Sequence, residues 1–220
     1  MRLAIEINGV LRDTISKFKQ LYEKYLMDLN NLDSENQIYN LDSEGNLEKE
    51  NETLPFKYEI KNEVTSLELL NHFSFPSKDD LYSFMYEEYT MELFGHAQST
   101  EMNTFLVLNE FYYKNRENYN ILIVSDEIGK SKPSSLFFLS KFGCLIEEVF
   151  FYSQSTKNLL WDKIDILLTA NPDLLLNKPN GKVLIKFKTD YNKHVDSEFE
   201  IESISDLEEA LDKIQNVYNF

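Results

Sequence analysis

From residue 120 onward the chain alternates short, uninterrupted apolar runs with helix-forming segments, and this rhythm restricts its fold more than any other feature. The runs are Ile121-Leu122-Ile123-Val124, Val149-Phe150-Phe151-Tyr152, Ile166-Leu167-Leu168 and Val183-Leu184-Ile185-Lys186-Phe187. A strand without polar alternation has to be covered on both faces, which is the condition of a parallel sheet between two layers of helices. Residues 133–142, closed by Gly143, read as one such helix. Ser205-Asp206-Leu207-Glu208 reads as a capping box opening a last helix that buries Leu207, Leu211, Ile214 and Tyr218. Residues 3–7 supply one more strand, ending at Asn8-Gly9. The expectation is an α/β fold with a five-stranded parallel sheet. Its ligand crevice should lie beyond the carboxyl ends of the strands.

Residues 15–115 lack this alternation and read as mainly helical. Asp13 or Thr14 can cap a helix with Ile15, Phe18, Tyr22, Tyr25 and Leu29 at 3.6-residue spacing. Ser77-Lys78-Asp79-Asp80 begins a second helix, with Leu81, Phe84, Met85 and Tyr89 inside. Ser99 or Thr100 begins a third, carrying Phe105, Leu108, Phe111 and Tyr112. Between them, residues 31–60 hold eight acidic side chains against Lys49 and Lys57 and read as an exposed acidic loop or hairpin. The predicted organisation is a core of residues 1–14 and 116–220, with a helical cap, 15–115, inserted after the first strand.

A formal charge of −16 argues against a nucleic-acid surface and against adhesion to anionic lipid. No apolar run reaches the ~18 residues of a membrane span, and the N-terminus turns acidic at Glu6, too early for a secretory signal. The single cysteine, Cys144, fits a reducing compartment and reads as a small core residue. His72, His96 and His194 are dispersed without metal-ligand spacing. A cytoplasmic protein is expected. The Asn/Lys/Ile/Tyr-rich composition, typical of AT-rich coding sequence, suggests a bacterial cell or a phage particle.

The candidate site residues all follow strands. Glu6-Ile7-Asn8-Gly9-Val10-Leu11-Arg12-Asp13-Thr14 resembles the first motif of the haloacid dehalogenase superfamily, Asp-x-Asp-Gly-(Thr/Val)-Leu. Ile123-Val124-Ser125-Asp126 is similar to its second motif. Gly129-Lys130-Ser131-Lys132-Pro133 resembles the third, and Thr169-Ala170, before Asn171-Pro172, stands where the family has two acidic residues. Asp190-Tyr191-Asn192, after the strand at 183–187, is similar to the tail of the 5′(3′)-deoxyribonucleotidases. The resemblance implies a Rossmann-like core, with Glu6 at the nucleophile position and Asn8 at the proton-donor position. It further implies Ser125 as the phosphoryl-holding hydroxyl and Lys132, or alternatively Lys130, as the charge-neutralising lysine.

The same comparison shows what is missing. Glu6 carries its carboxylate one methylene further out, and a displacement near 1 Å can cost ~100-fold in rate. Asn8 cannot move a proton, and Thr169 and Ala170 offer no carboxylate to Mg²⁺, a hard cation that prefers such oxygens. The expectation is therefore a vestigial pocket of Glu6, Asn8, Ser125, Lys132, Thr169 and Ala170, with no metal or cofactor. Ser125 and Lys132 remain as a candidate anion site. The implied role is structural, assembly-related or regulatory binding of other proteins, for example as a phage structural or accessory component. The alternative is a weak Mg²⁺-dependent nucleotidase using Glu6 with Asp126 or Asp173. An anion-binding module without turnover is a third reading.

Overall fold

A computed structural model describes residues 1–35, 39–41, 47–49 and 63–218. The strands and helices in chain order are β1 (Arg2–Glu6), α1 (Thr14–Glu35), β2 (Tyr39–Leu41), β3 (Leu47–Lys49), α2 (Lys78–Ser83), α3 (Thr104–Asn115), β4 (Asn120–Asp126), α4 (Ser131–Lys141), β5 (Glu148–Tyr152), α5 (Lys157–Lys163), β6 (Ile166–Thr169), α6 (Pro172–Leu176), β7 (Val183–Phe187), β8 (Phe199–Ile201) and α7 (Leu207–Tyr218). Six strands form one parallel sheet in the order β5-β4-β1-β6-β7-β8. The sheet thus has six strands where five were expected. The additional one, β8, is three residues long, and only Phe199 and Ile201 of it are buried, so its apolar signal is too brief to stand out in sequence.

The period-2 geometry of strands explains the two cores. Leu3, Ile5, Ile121, Ile123, Ile166, Leu168, Val183 and Ile185 share one face with α3, α4 and α7, through Leu108, Phe138 and Leu211. Their immediate neighbours Ala4, Leu122, Val124, Leu167 and Leu184 face the opposite way, against Leu160 and Trp161 of α5 and Leu174 of α6. Each fully buried Leu or Ile contributes roughly 1.5–3 kcal/mol. That is why the continuous apolar strands specify a covered sheet. Helix α7 buries Leu207, Ala210, Leu211 and Ile214 on a single stripe. Its preceding turn is capped by Ser203 with Asp206, not by Ser205.

A third core lies in the insertion after β1. Phe18, Leu21 and Tyr22 of α1 pack with Val64, Phe73, Phe75, Phe84, Leu93 and Phe94. Ser77 caps α2 by accepting from the Asp80 amide at 3.2 Å, and π-helical turns follow at Phe84–Glu88 and Met91–Gly95. Helix α3 begins at Thr104, later than Ser99 or Thr100. The Thr100 hydroxyl is spent on the Val10 carbonyl (2.6 Å), and the Thr104 hydroxyl caps Glu101 (2.9 Å). Of the acidic stretch 31–60, the described parts are the end of α1 and an antiparallel pairing of β2 with β3. The rest lies outside the described residues. Among the described residues no helix is long and apolar enough to cross a membrane.

Candidate functional site

The carboxyl ends of β1, β4, β6 and β7 open onto a cleft of about 670 Å³ whose other wall is the helical insertion. Glu6, Asn8, Asp126, Asn171 and Asp173 line its sheet side, and Val64, Met85, Tyr86 and Phe94 line the cap side. The chain turns at Gly9 with φ +78°, and a side chain there would collide with the Tyr191 hydroxyl. Only glycine meets both demands.

Glu6 is 1% exposed at the end of β1. Its Oε1 accepts from the Tyr152 hydroxyl at 2.8 Å, and its Oε2 accepts a short hydrogen bond from the Thr169 hydroxyl. Burial raises its pKa from 4.5 to about 7, only partly opposed by these two donors, while Asp126 pushes it further up. Thr169 is thus a hydrogen-bond donor to Glu6. Ala170 is fully buried, and its carbonyl accepts from Asn192 Nδ2 at 2.9 Å. The Asp-Tyr-Asn tail therefore secures the loop after β6.

Asn8 Oδ1 accepts from three donors: Arg12 Nε (3.2 Å), Arg12 Nη2 (2.6 Å) and the Thr14 hydroxyl (2.9 Å). Its Nδ2 donates to Ser125 Oγ at 3.3 Å. Ser125 is fully buried and donates to Glu127 Oε1 at 3.1 Å. Lys132 lies exposed in the first turn of α4, and no hydrogen bond joins it to the pocket residues among the described contacts. Lys130 is exposed as well, and neither lysine lines the cleft. The structure brings together Glu6, Asn8, Ser125, Thr169 and Ala170, and leaves Lys132 apart.

Sequence reading missed the centre of this network. Arg12 has no exposed surface and pairs with buried Glu127 at 2.5 Å. Burial lowers the Arg12 pKa, and Glu127 opposes that fall. Ser135 Oγ also donates to Glu127 Oε1, at 2.7 Å. The two charges are 115 residues apart, so no local pattern announces them. The clue was an arginine inside a turn otherwise built of buried residues, Val10 and Leu11.

The family implied by the motifs uses Mg²⁺, and the residues present do not fit it. Asn8 faces a guanidinium, Thr169 donates, and Glu6 spends both oxygens on hydroxyls. No cluster of three His, Cys, Asp or Glu that could hold a metal occurs among the described residues. The cleft is also acidic: Asp13, Glu63, Glu68, Asp126, Asp173 and Asp190 join Glu6 against Lys19. Asp173 is paired with Lys157, whereas burial and Glu127 raise Asp126 to about 6.

The sheet order, the insertion after β1 and the cleft at the strand ends define a haloacid dehalogenase-like α/β fold. The crystal structure of a haloacid dehalogenase-like hydrolase from Burkholderia xenovorans superposes with a TM-score of 0.56, covering 95% of this chain and 97% of that one at 10% identity. No protein-family model matches the sequence, and no curated protein does.

Proposed function

We propose that this chain is a degenerate relative of the nucleotidase-like phosphatases that does not carry out metal-dependent phosphoryl transfer and serves instead to bind other proteins in an assembly or regulatory role. One observation carries the reading: both side chains at the catalytic positions are consumed internally, Glu6 by Tyr152 and Thr169, Asn8 by Arg12 and Thr14. A nucleophile must present an ionised oxygen to phosphorus, and burial raises the pKa of Glu6, which favours its protonated form. A phosphate entering this acidic cleft also meets repulsion from Asp126. The protein-binding role draws support from large apolar side chains left exposed, among them Met27, Tyr82 and Met91 on the insertion and Leu106 on α3. The test is turnover of p-nitrophenyl phosphate and deoxynucleoside monophosphates with millimolar Mg²⁺. The wild type should match Glu6→Ala; a rate abolished by that substitution overturns the reading.

Asp126 favours a second reading, a weak phosphohydrolase. It lines the cleft beside Glu6, and its carboxylate makes no hydrogen bond among the described contacts. That reading requires Mg²⁺ or Mn²⁺ to raise the melting temperature, since a ligand of the native state stabilises it.

A further inference from the structure

The geometry points to Arg12 as a built-in latch, a guanidinium held in an oxygen cage that fastens the helical insertion onto the sheet. Its partners come from separate parts of the chain. Asn8 follows β1, Glu127 follows β4 and Ser135 belongs to α4, while Phe94 lies in the second π-helical turn of the insertion. Nη1 donates to the Phe94 carbonyl and to Ser135 Oγ, both at 2.7 Å. The guanidinium carbon also sits 5.0 Å from the centre of the Phe94 ring and 5.4 Å from that of Phe138.

Every direct hydrogen-bond partner is an oxygen, as in the shell of a hard cation, yet two aromatic faces flank the site. That combination suits a planar guanidinium better than a small ion or an ammonium. The insertion contributes a main-chain carbonyl and a ring, so undocking residues 91–95 has to break both contacts. A carboxylate with one unpartnered oxygen, Glu127 Oε2, would then face an open cage. The latch rests on contacts between insertion and sheet alone and stands whether or not the cleft turns over phosphate.

The test uses the full-length Arg12→Ala protein. Removing one partner of a buried pair should lower Tm by roughly 10 °C in a domain of this size. Amide exchange should rise in residues 91–95 before it rises in β1 and β4. Guanidinium chloride at millimolar, non-denaturing concentration should restore part of both losses, and equal NaCl or MgCl₂ should not. If Arg12→Ala does not fold, Ser135→Ala replaces it, removing the hydrogen bonds of Ser135 Oγ to Arg12 and Glu127, and should speed exchange in residues 91–95 by roughly tenfold or more. Unchanged exchange there in whichever variant folds overturns the latch. So does rescue by MgCl₂ equal to that by guanidinium, which would make the cage a divalent-metal site.

Discussion

Glu6→Gln separates the ionisation of Glu6 from its shape. The folded protein holds this carboxyl at about 7 against 4.5 for an unperturbed glutamate. A folded pKa above the unfolded one means that the native state favours the proton. The associated stability is fully present below about pH 4.5 and is lost as pH rises through about 7. That gap corresponds to roughly 3 kcal/mol across the window. Gln keeps the length of the side chain, can accept from one of the Tyr152 and Thr169 hydroxyls and donate to the other, and does not ionise. The variant should therefore match the wild type near pH 4.5 and exceed it by roughly 3 kcal/mol above about pH 8. Urea unfolding of both proteins across this range measures the difference. Comparing the two cancels groups that do not face Glu6, such as Asp173 and Glu200, both of which are lowered. A gap independent of pH, or a wild type gaining on the variant as pH rises, refutes the burial of an ionisable Glu6.

Gly9→Ala should destabilise by more than about 2 kcal/mol in the same assay, because its φ is +78° and the new methyl would strike Tyr191 and approach Ala170 Cβ to 2.9 Å. Phe18→Ala should cost about 3–5 kcal/mol, since its ring is 1% exposed and lies 4.6 Å from Phe73 and 5.1 Å from Phe84. Lys132→Ala should change unfolding free energy by less than about 0.5 kcal/mol, as expected of an exposed side chain away from buried networks. A larger loss would show that Lys132 makes a stabilising contact.

The sheet was legible because its strands are apolar on both sides, and only burial on both faces accounts for Ile121 to Val124 or Val183 to Phe187. Strand β8 was not, because three residues with one polar member carry no period. The helix starts at Ser99 or Thr100 and at Ser205 were misplaced because these hydroxyls bond to other partners: Thr100 donates to the distant Val10 carbonyl, Ser99 to the Glu101 carbonyl and Ser205 to the Ser203 hydroxyl. At the site, motif order pointed to Glu6, Asn8, Ser125, Thr169 and Ala170, which lie at or just after the ends of β1, β4 and β6. It could not show that Arg12 and Glu127, 115 residues apart, would meet at its centre, nor that Lys132 would lie exposed in the first turn of α4. Tyr152 went unnoticed as the partner of Glu6 because it looked like one more apolar strand residue.

The most direct measurement is a calorimetric titration of the protein with Mg²⁺ in the presence of a beryllium-fluoride phosphate mimic. A cleft whose Glu6 and Asn8 are already satisfied by Tyr152, Thr169 and Arg12 should release no binding heat, and Glu6→Ala should give the same trace. Stoichiometric binding lost in Glu6→Ala would contradict it, because the carboxylate would then be open to an ion and a phosphoryl group after all.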